Sequence, residues 1–540
     1  MQLPIARLAP LFHRFSFTLA VAAASTSYGQ TLAKLPADEQ PCFALTQIIL
    51  DSGTDPLPKG LQEALSRGPD NNADNPMGQC IGAQGVQLLI DRVQNALISQ
   101  GFVTSRVLAA PQNLQTGTLT LNVFMGKLAD IQWADPPSGQ FRRARAWNAV
   151  PAQKGDFLNM RDVEQALENF KRVPTAEADI QIVAADEEGH SNLLINHSQP
   201  RFLRLNLTLD DSGTPSVGKQ QASATLSYDN WLTLSDLFYI TVTQDTGVGK
   251  EPGSRGTHVK TWHYSIPFGY QWLTINHSQS SYYQTVAGLN QDYVYAGTSE
   301  TSDLKVSRVV QRDAAGKTIA GLKAFKKQSN NYIDDTEVEV QKRVVGGWVW
   351  DIAHKRSLGQ ASLDTTLSYK KGTGNFGSIA APEEATNEGT SRMRIWNADT
   401  YLSLPLTLAE KAFTYSLNWR YQLNQTRLTP QDRFSIGGRY TVRGFDGVNS
   451  LTGDKGWVLR NELFTRLGAD HTLYVGLDKG RVDGHSAENL LGRELVGAVI
   501  GVRAQHGILQ YDIFIGGPLH MPDRFKTSSR TSGFNLSISF

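Results

Sequence analysis

Two short stretches hold the residues whose chemistry matters most in this 540-residue chain: Val442-Arg443-Gly444-Phe445-Asp446 and Gly476-Leu477-Asp478-Lys479-Gly480. The first lies in a long polar segment, about 425–455, between two strand-like segments. The second closes the next strand-like segment but one. A guanidinium flanked by glycine and an aromatic ring loses hydration wherever it is enclosed, and then needs a carboxylate fork. In the strand Leu473–Asp478, Leu473, Val475 and Leu477 share one face, while Tyr474, Gly476 and Asp478 share the other. If the leucine face meets lipid, Asp478 points inward. Roughly 18 residues lead from the start of the loop to Arg443, a reach of about 60 Å if extended. A hydrocarbon layer is only about 30 Å thick, so the loop can fold down a pore. The alternative is two ordinary solvated residues.

Bond-making chemistry finds little support. The 11 histidines are scattered, and only His258 and His263 approach metal-ligand spacing, with no cysteine pair beside them. No GxSxG, HExxH or P-loop occurs. No enzyme, metal or cofactor is expected. Net charge is +1, which leaves no electrostatic footprint for nucleic acid.

The elements that must position the arginine and aspartate follow from periodicity. From Arg201 the texture is strict alternation. Leu203, Leu205, Leu207 and Leu209 interleave with Arg204, Asn206, Thr208 and Asp210. Phe413, Tyr415, Leu417, Trp419 and Tyr421 interleave with polar residues, as do Phe534, Leu536, Ile538 and Phe540. Apolar faces rich in aromatics, backed by very polar faces, fit a membrane barrel better than a soluble sandwich. No run of 18 apolar residues exists, so strands rather than helices would cross the membrane. About 340 residues at ~20 per strand and connection predict roughly 16 strands.

Residues before 201 mix helix and strand signals. Phe43–Leu50 reads as a strand, Gly60–Ser66 as a short helix, and Gln84–Gln100 as an amphipathic helix ended by Gly101. Phe102–Leu108 and Thr118–Phe124 read as strands. The order then repeats: strand Leu128–Trp133, helix Phe141–Val150, a helix carrying Val163, Ala166, Leu167 and Phe170 and stopped by Pro174, then strands Ala178–Ala184 and Ser191–Ile195. Residues 1–29 read as a secretory signal, with Arg7 and Arg14 ahead of a short apolar core. Export makes a disulfide the default for the only two cysteines, Cys42 and Cys80.

In this arrangement the chain resembles the outer-membrane transporters of two-partner secretion, the haemolysin-activator and filamentous-haemagglutinin transporter family of the Omp85 superfamily. The first unit is similar to the family's first POTRA domain at Pro41-Cys42-Phe43, Gly78-Gln79-Cys80-Ile81 and Gly101-Phe102-Val103-Thr104. The second is similar at Gly155-Asp156-Phe157-Leu158-Asn159, Asp162–Leu167 and Gly189-His190-Ser191. Barrel resemblance rests on Ser227-Tyr228-Asp229-Asn230, Asp236-Leu237, Gly438–Phe445, Arg460-Asn461-Glu462-Leu463, Gly516-Gly517-Pro518-Leu519 and the terminal Phe540.

The resemblance implies an all-β transmembrane barrel of about 16 antiparallel strands preceded by two α+β POTRA domains. The divisions would be a signal at 1–29, a short linker at 30–40, POTRA domains at 41–126 and 127–200, and a barrel at 201–540 with its sixth loop at about 425–455. It implies that Arg443 docks on Asp478. Gly444 would allow the tight tip, Phe445 would seat it, and Asp446 would add a second carboxylate. Gly476 and Gly480 would thin the wall beneath. Phe540 would be read by the barrel-assembly machinery.

The implied partners are outer-membrane lipid and a large secreted exoprotein with an N-terminal two-partner-secretion domain. That cargo could be a cytolysin, an adhesin, a haem or iron scavenger or a contact-dependent toxin. It would be caught unfolded in the periplasm by strand addition at the second domain, near helix Asp162–Val173 and strand Ala178–Ala184. Arg161, Glu164, Glu168, Lys171, Asp179 and Gln181 would tune specificity, or else form a solvated face. The transporter would act as a monomer. Too few residues precede Cys42 for the plug helix found in many family members, so that helix is expected to be missing or vestigial. The alternatives are an Omp85-type insertase or a passive channel.

Overall fold

The computed structural model describes residues 34–69, 72–134, 141–248, 253–468 and 470–540. The expected signal segment and any plug helix lie outside the described residues. The chain forms two small α+β domains and a closed barrel of 16 antiparallel strands.

In the first domain a three-stranded sheet runs in the order Gln47–Asp51, Thr118–Phe124, Arg106–Leu108. Helices α1 (Leu61–Ala64) and α2 (Ala83–Ser99) complete the layer. Leu45, Leu89, Val93, Leu97, Leu119 and Leu121 are fully buried between helix and sheet, so the apolar stripe of α2 is the core face. The Glu39 carboxylate caps α2 by accepting from the amides of Gly82 (2.7 Å), Gln84 (2.7 Å) and Gly85 (3.0 Å). At the other end the Phe102 amide donates back to Leu97 O (2.9 Å), and Gly101 takes φ 98°. This turn consumes residues expected to be strand, so the strand starts at Arg106 rather than Phe102. Cys42 and Cys80 are joined, their Cα atoms 5.2 Å apart.

The second domain repeats the plan. Its sheet runs Lys127–Trp133, His190–Ser198, Glu177–Ala184, so Glu177–Ala184 is an edge strand. Helices α3 (Phe141–Ala149) and α4 (Met160–Phe170) cover one face, and Val163, Ala166 and Phe170 of α4 pack on Leu128, Leu193 and Ile195. Asn159 caps α4 by accepting from the Arg161 amide (2.8 Å).

The barrel strands are β1 (Leu203–Asp210), β2 (Gln221–Asp229), β3 (Leu237–Asp245), β4 (Arg255–Phe268), β5 (Gln271–Ala287) and β6 (Asp292–Arg312). Next come β7 (Gly316–Ile333), β8 (Arg343–Leu358), β9 (Ala361–Thr373), β10 (Arg394–Leu408) and β11 (Lys411–Asn424). The last are β12 (Lys455–Leu467), β13 (His471–Asp483), β14 (Glu494–His506), β15 (Leu509–His520) and β16 (Thr531–Ser539). Closure pairs β16 with β1, Asn535 opposite Asp210 through Ser539 opposite Asn206. The Phe540 amide extends this seam by donating to Leu205 O (2.9 Å). Parity holds as read: Leu203, Leu205, Leu207 and Leu209 all face outward and exposed.

The second domain is fastened to the near rim of the barrel. Asn169 Nδ2 donates to Gly269 O (2.8 Å), Arg172 to Ser265 O (3.0 Å), and Tyr270 Oη to Asp162 Oδ1 (2.7 Å). Fully buried Asp229 ties β1 and β2 to the domain, forking Arg204 (2.8 and 2.9 Å) and accepting from Thr175 Oγ1 (2.8 Å).

Candidate functional site

The segment between β11 and β12 folds into the barrel. Phe434–Ile436 pairs antiparallel with Leu451–Gly453, forming a small hairpin whose tip carries Arg443. Phe434, Ile436, Val442, Phe445 and Leu451 pack with Val458, Val482 and Leu495 of the wall, a buried apolar cluster inside a polar lumen. Phe445 also meets Phe525 edge to face, with centroids 5.8 Å apart.

At the tip Arg443 is 3% exposed and Asp478 is completely buried. Arg443 Nε donates to Asp478 Oδ2 (2.7 Å) and Nη2 to Oδ1 (2.9 Å), a two-pronged fork. The Arg443 amide adds a third bond to Asp478 Oδ2 (3.0 Å). The remaining guanidinium edge donates from Nη1 to Glu462 Oε2 (2.7 Å) on β12. Glu462 in turn accepts from Arg503 on β14, whose Nε reaches Asp512 on β15 (3.0 Å). Tyr474 Oη donates to Asp512 (2.7 Å), and its ring lies 3.9 Å beneath the Arg503 guanidinium. The chain of alternating charges therefore crosses β12, β13, β14 and β15.

Glycines make the close approach possible. A Cβ at Gly476 would lie 2.5 Å from Arg443 Nη2, and one at Gly480 would lie 2.8 Å from Val442 Cγ2. Gly444 has φ 97° and packs on the Gly517 carbonyl, so it needs both the left-handed turn and the missing side chain. Asp446 does not supply the second carboxylate that the sequence suggested. The turn at Gly444 sends it back toward the loop before β16, where it accepts from the Ser528 amide (2.8 Å) and hydroxyl (3.0 Å). Glu462 takes that place. A second loop arginine, Arg439, donates to Asp211 (2.5 Å) and to Phe534 O (3.0 Å), clasping the ends of β1 and β16. Alternation along one strand does not reveal the partners of Glu462 and Arg503, which register between strands sets, nor those of Arg439, which the fold of the loop sets.

The charges on α4 divide. Glu164 and Glu168 face the turn between β6 and β7: Arg312 donates to Glu164 (3.3 Å), Gln165 (2.7 Å) and Glu168 (2.9 Å), and Lys317 also bonds Glu168. Arg161 pairs within the helix with Glu164 (2.5 Å). Lys171, Asp179 and Gln181 are exposed. Burial disfavours the charged form of Glu168, but Lys317 and Arg312 outweigh it and hold the carboxyl below its ordinary range.

The family model for the haemolysin secretion/activation proteins ShlB/FhaC/HecB matches residues 189–504. The chain belongs to this family. A ShlB-type POTRA domain matches residues 60–126, and a further POTRA domain residues 127–184. The outer membrane transporter CdiB-2 of Burkholderia pseudomallei (strain 1026b) is 33% identical, over 93% of this chain and 87% of the relative. The outer membrane transporter CdiB of Dickeya dadantii (strain 3937) is 26% identical, over 94% and 89%. The solved structure of CdiB from Acinetobacter baumannii superposes with a TM-score of 0.82 at 28% identity, covering 95% of this chain and 93% of that one. Members of the family are secretion transporters rather than enzymes. The protein is an outer-membrane barrel with POTRA domains in the periplasm and a general translocator role in two-partner secretion. The hairpin bearing Arg443 thus enters from the outer surface.

Proposed function

We propose that the protein takes up a cognate secreted exoprotein in the periplasm through its POTRA domains and passes it, unfolded, through the barrel to the cell surface. The observation carrying this reading is the edge strand Glu177–Ala184, which among the described residues pairs on one side only, within a domain bolted to the pore mouth. An extended segment can add to that edge through backbone bonds, a mode that suits a client without fixed structure. Asp179, Gln181 and Lys171 border this edge and are the polar side chains assigned to the client. Glu164 and Glu168 serve docking, with Arg161 holding Glu164. The Arg443–Asp478–Glu462 lock holds the hairpin across the lumen, and transport requires the hairpin to yield. Phe540, at the closing seam, is assigned as the signal read during barrel assembly, and the transporter works as a monomer.

The test is co-expression with the large open reading frame beside the gene. That product should reach the medium only when this chain is present, and a photo-crosslinker at Gln181 should trap it. Equal export without this chain refutes the reading.

A further inference from the structure

Helix α3 belongs to the second POTRA domain, yet it lies against the barrel wall at the periplasmic rim. Asn148 Nδ2 donates to Pro267 O (3.0 Å), and the Gly269 amide donates to Asn148 O (2.7 Å). Arg145 Nε reaches Thr233 O (3.3 Å) in the turn between β2 and β3. These bonds fix the backbone beside Trp147. Trp147 is 70% exposed, far more than an indole of a soluble domain usually is. Its ring meets Phe268 edge to face, centroids 6.1 Å apart at 74°. Phe268 has the same parity along β4 as Trp262, so it stands on the lipid-facing side of the wall.

The turn between β2 and β3 continues this surface. Trp231 and Leu232 are both more than half exposed. Trp231 packs on Phe238 (4.7 Å) and Tyr228 (6.5 Å), which also face outward. Asp236, fully buried, holds the turn by accepting from the amides of Leu232 (3.0 Å) and Leu234 (3.2 Å). Rigid backbones therefore display two indoles and a leucine beside the barrel's outer wall, at the level where its strands end. Indole rings partition to the headgroup region, apolar body inward and N–H toward water. A protein partner covering Trp147 would have to occupy the plane of the bilayer beside the wall.

We propose that α3 is a monotopic membrane anchor. Trp147 inserts into the periplasmic leaflet beside Trp231 and Leu232, so phospholipid as well as protein sets the tilt of the second POTRA domain at the pore mouth. The anchor is independent of any cargo.

The native cysteines are bonded to each other, so a nitroxide on Trp147→Cys in the full chain labels one position. The protein is reconstituted in vesicles of phosphatidylethanolamine and phosphatidylglycerol, and collision with oxygen is compared with collision with a water-soluble nickel chelate. Leu304→Cys on the lipid face and Glu187→Cys on an exposed domain turn are the references. The oxygen-to-nickel ratio at 147 should exceed that at 187 several-fold and fall below that at 304. A ratio matching 187 overturns the proposal, and so does exclusion of both reagents, which would mean a protein cover. If Trp147→Cys fails to insert, brominated lipid should quench wild-type emission more than that of Trp147→Phe, and equal fractional quenching overturns the proposal.

Discussion

Replacing Arg443 by alanine removes the fork to Asp478 and the bond to Glu462 while leaving the backbone bond from residue 443 in place. Asp478, completely buried in the docked state, would keep Arg460 as its nearest replacement cation at 3.8 Å. Glu462 keeps Arg503, so its loss is smaller. Removing one partner of a buried ion pair costs about 3–5 kcal/mol, because the other charge stays desolvated. The surviving amide bond and Arg460 place this case toward the lower value. At about 1.4 kcal/mol per decade, 3 kcal/mol raises the population of undocked hairpin by roughly 100-fold. Amide hydrogen exchange reports that population directly when reclosing is fast. Amides of residues 437–447 should exchange about 100-fold faster in Arg443→Ala, and those of β13 should be little changed. Export of the partner should fall far more than barrel insertion does. If exchange at the tip rises less than about fivefold, roughly 1 kcal/mol, the ion pair does not hold the hairpin and the assignment fails.

Other perturbations test separate joints. Gly444→Ala places a Cβ against the Gly517 carbonyl at φ 97°; strain of about 1–3 kcal/mol should lift the tip, with the same exchange signature as Arg443→Ala. Cys80→Ser opens a bridge spanning 38 residues, a loss of about 4 kcal/mol on chain-entropy grounds, seen as a lower melting temperature of the first POTRA domain with the barrel unaffected. The docked Glu168 carboxyl titrates below the ordinary value of 4.5, so its contribution to docking is complete above that value and is lost as pH falls through the docked one. Distances between spin labels on α4 and the β6–β7 turn should therefore broaden as pH falls below about 4.5, and Glu168→Gln should weaken that dependence, the carboxylates of Glu164 and Asp162 remaining.

Much of this architecture is legible in the sequence because its signals are periodic. Leu203, Leu205, Leu207 and Leu209 declare a lipid face, and the same parity along Leu473–Asp478 is enough to put Asp478 on the inner wall. The repeat of strand and helix signals before residue 201 announces two similar domains. What stayed hidden depends on register and docking. Glu462 faces Arg443 only because β12 pairs with β13 so that Arg460 lies opposite Asp478 and Glu462 opposite Gly476. Asp446, nearer in sequence, is carried away by one left-handed glycine. Glu164 and Glu168 look like a solvated helix face until the β6–β7 turn brings Arg312 and Lys317 to them. Trp147 sits in a helix whose neighbours give no hint that a membrane lies beside it.

The hairpin divides two tasks between two kinds of contact. Its apolar residues, Phe434, Ile436, Val442, Phe445 and Leu451, leave water for the wall cluster, and burial of this kind stabilises without dictating position. Apolar packing alone would tolerate a hairpin shifted along the wall. The charged network does the reverse: desolvation consumes much of its Coulomb gain, so its net stabilisation is modest, but each charge finds its complement in one register only. Arg443 needs Asp478 and Glu462 together, and these two stand on adjacent strands at a spacing fixed by the barrel. Glu462 is in turn held by Arg503, and Arg503 by Asp512 and the Tyr474 ring. A hairpin leaving the lumen must give up the apolar cluster and the fork. The wall charges, however, remain neutralised in part by Arg503 and Arg460 after it has gone. That residual pairing lowers the cost of the vacated state without abolishing it, which is what the proposed release of the hairpin during transport requires.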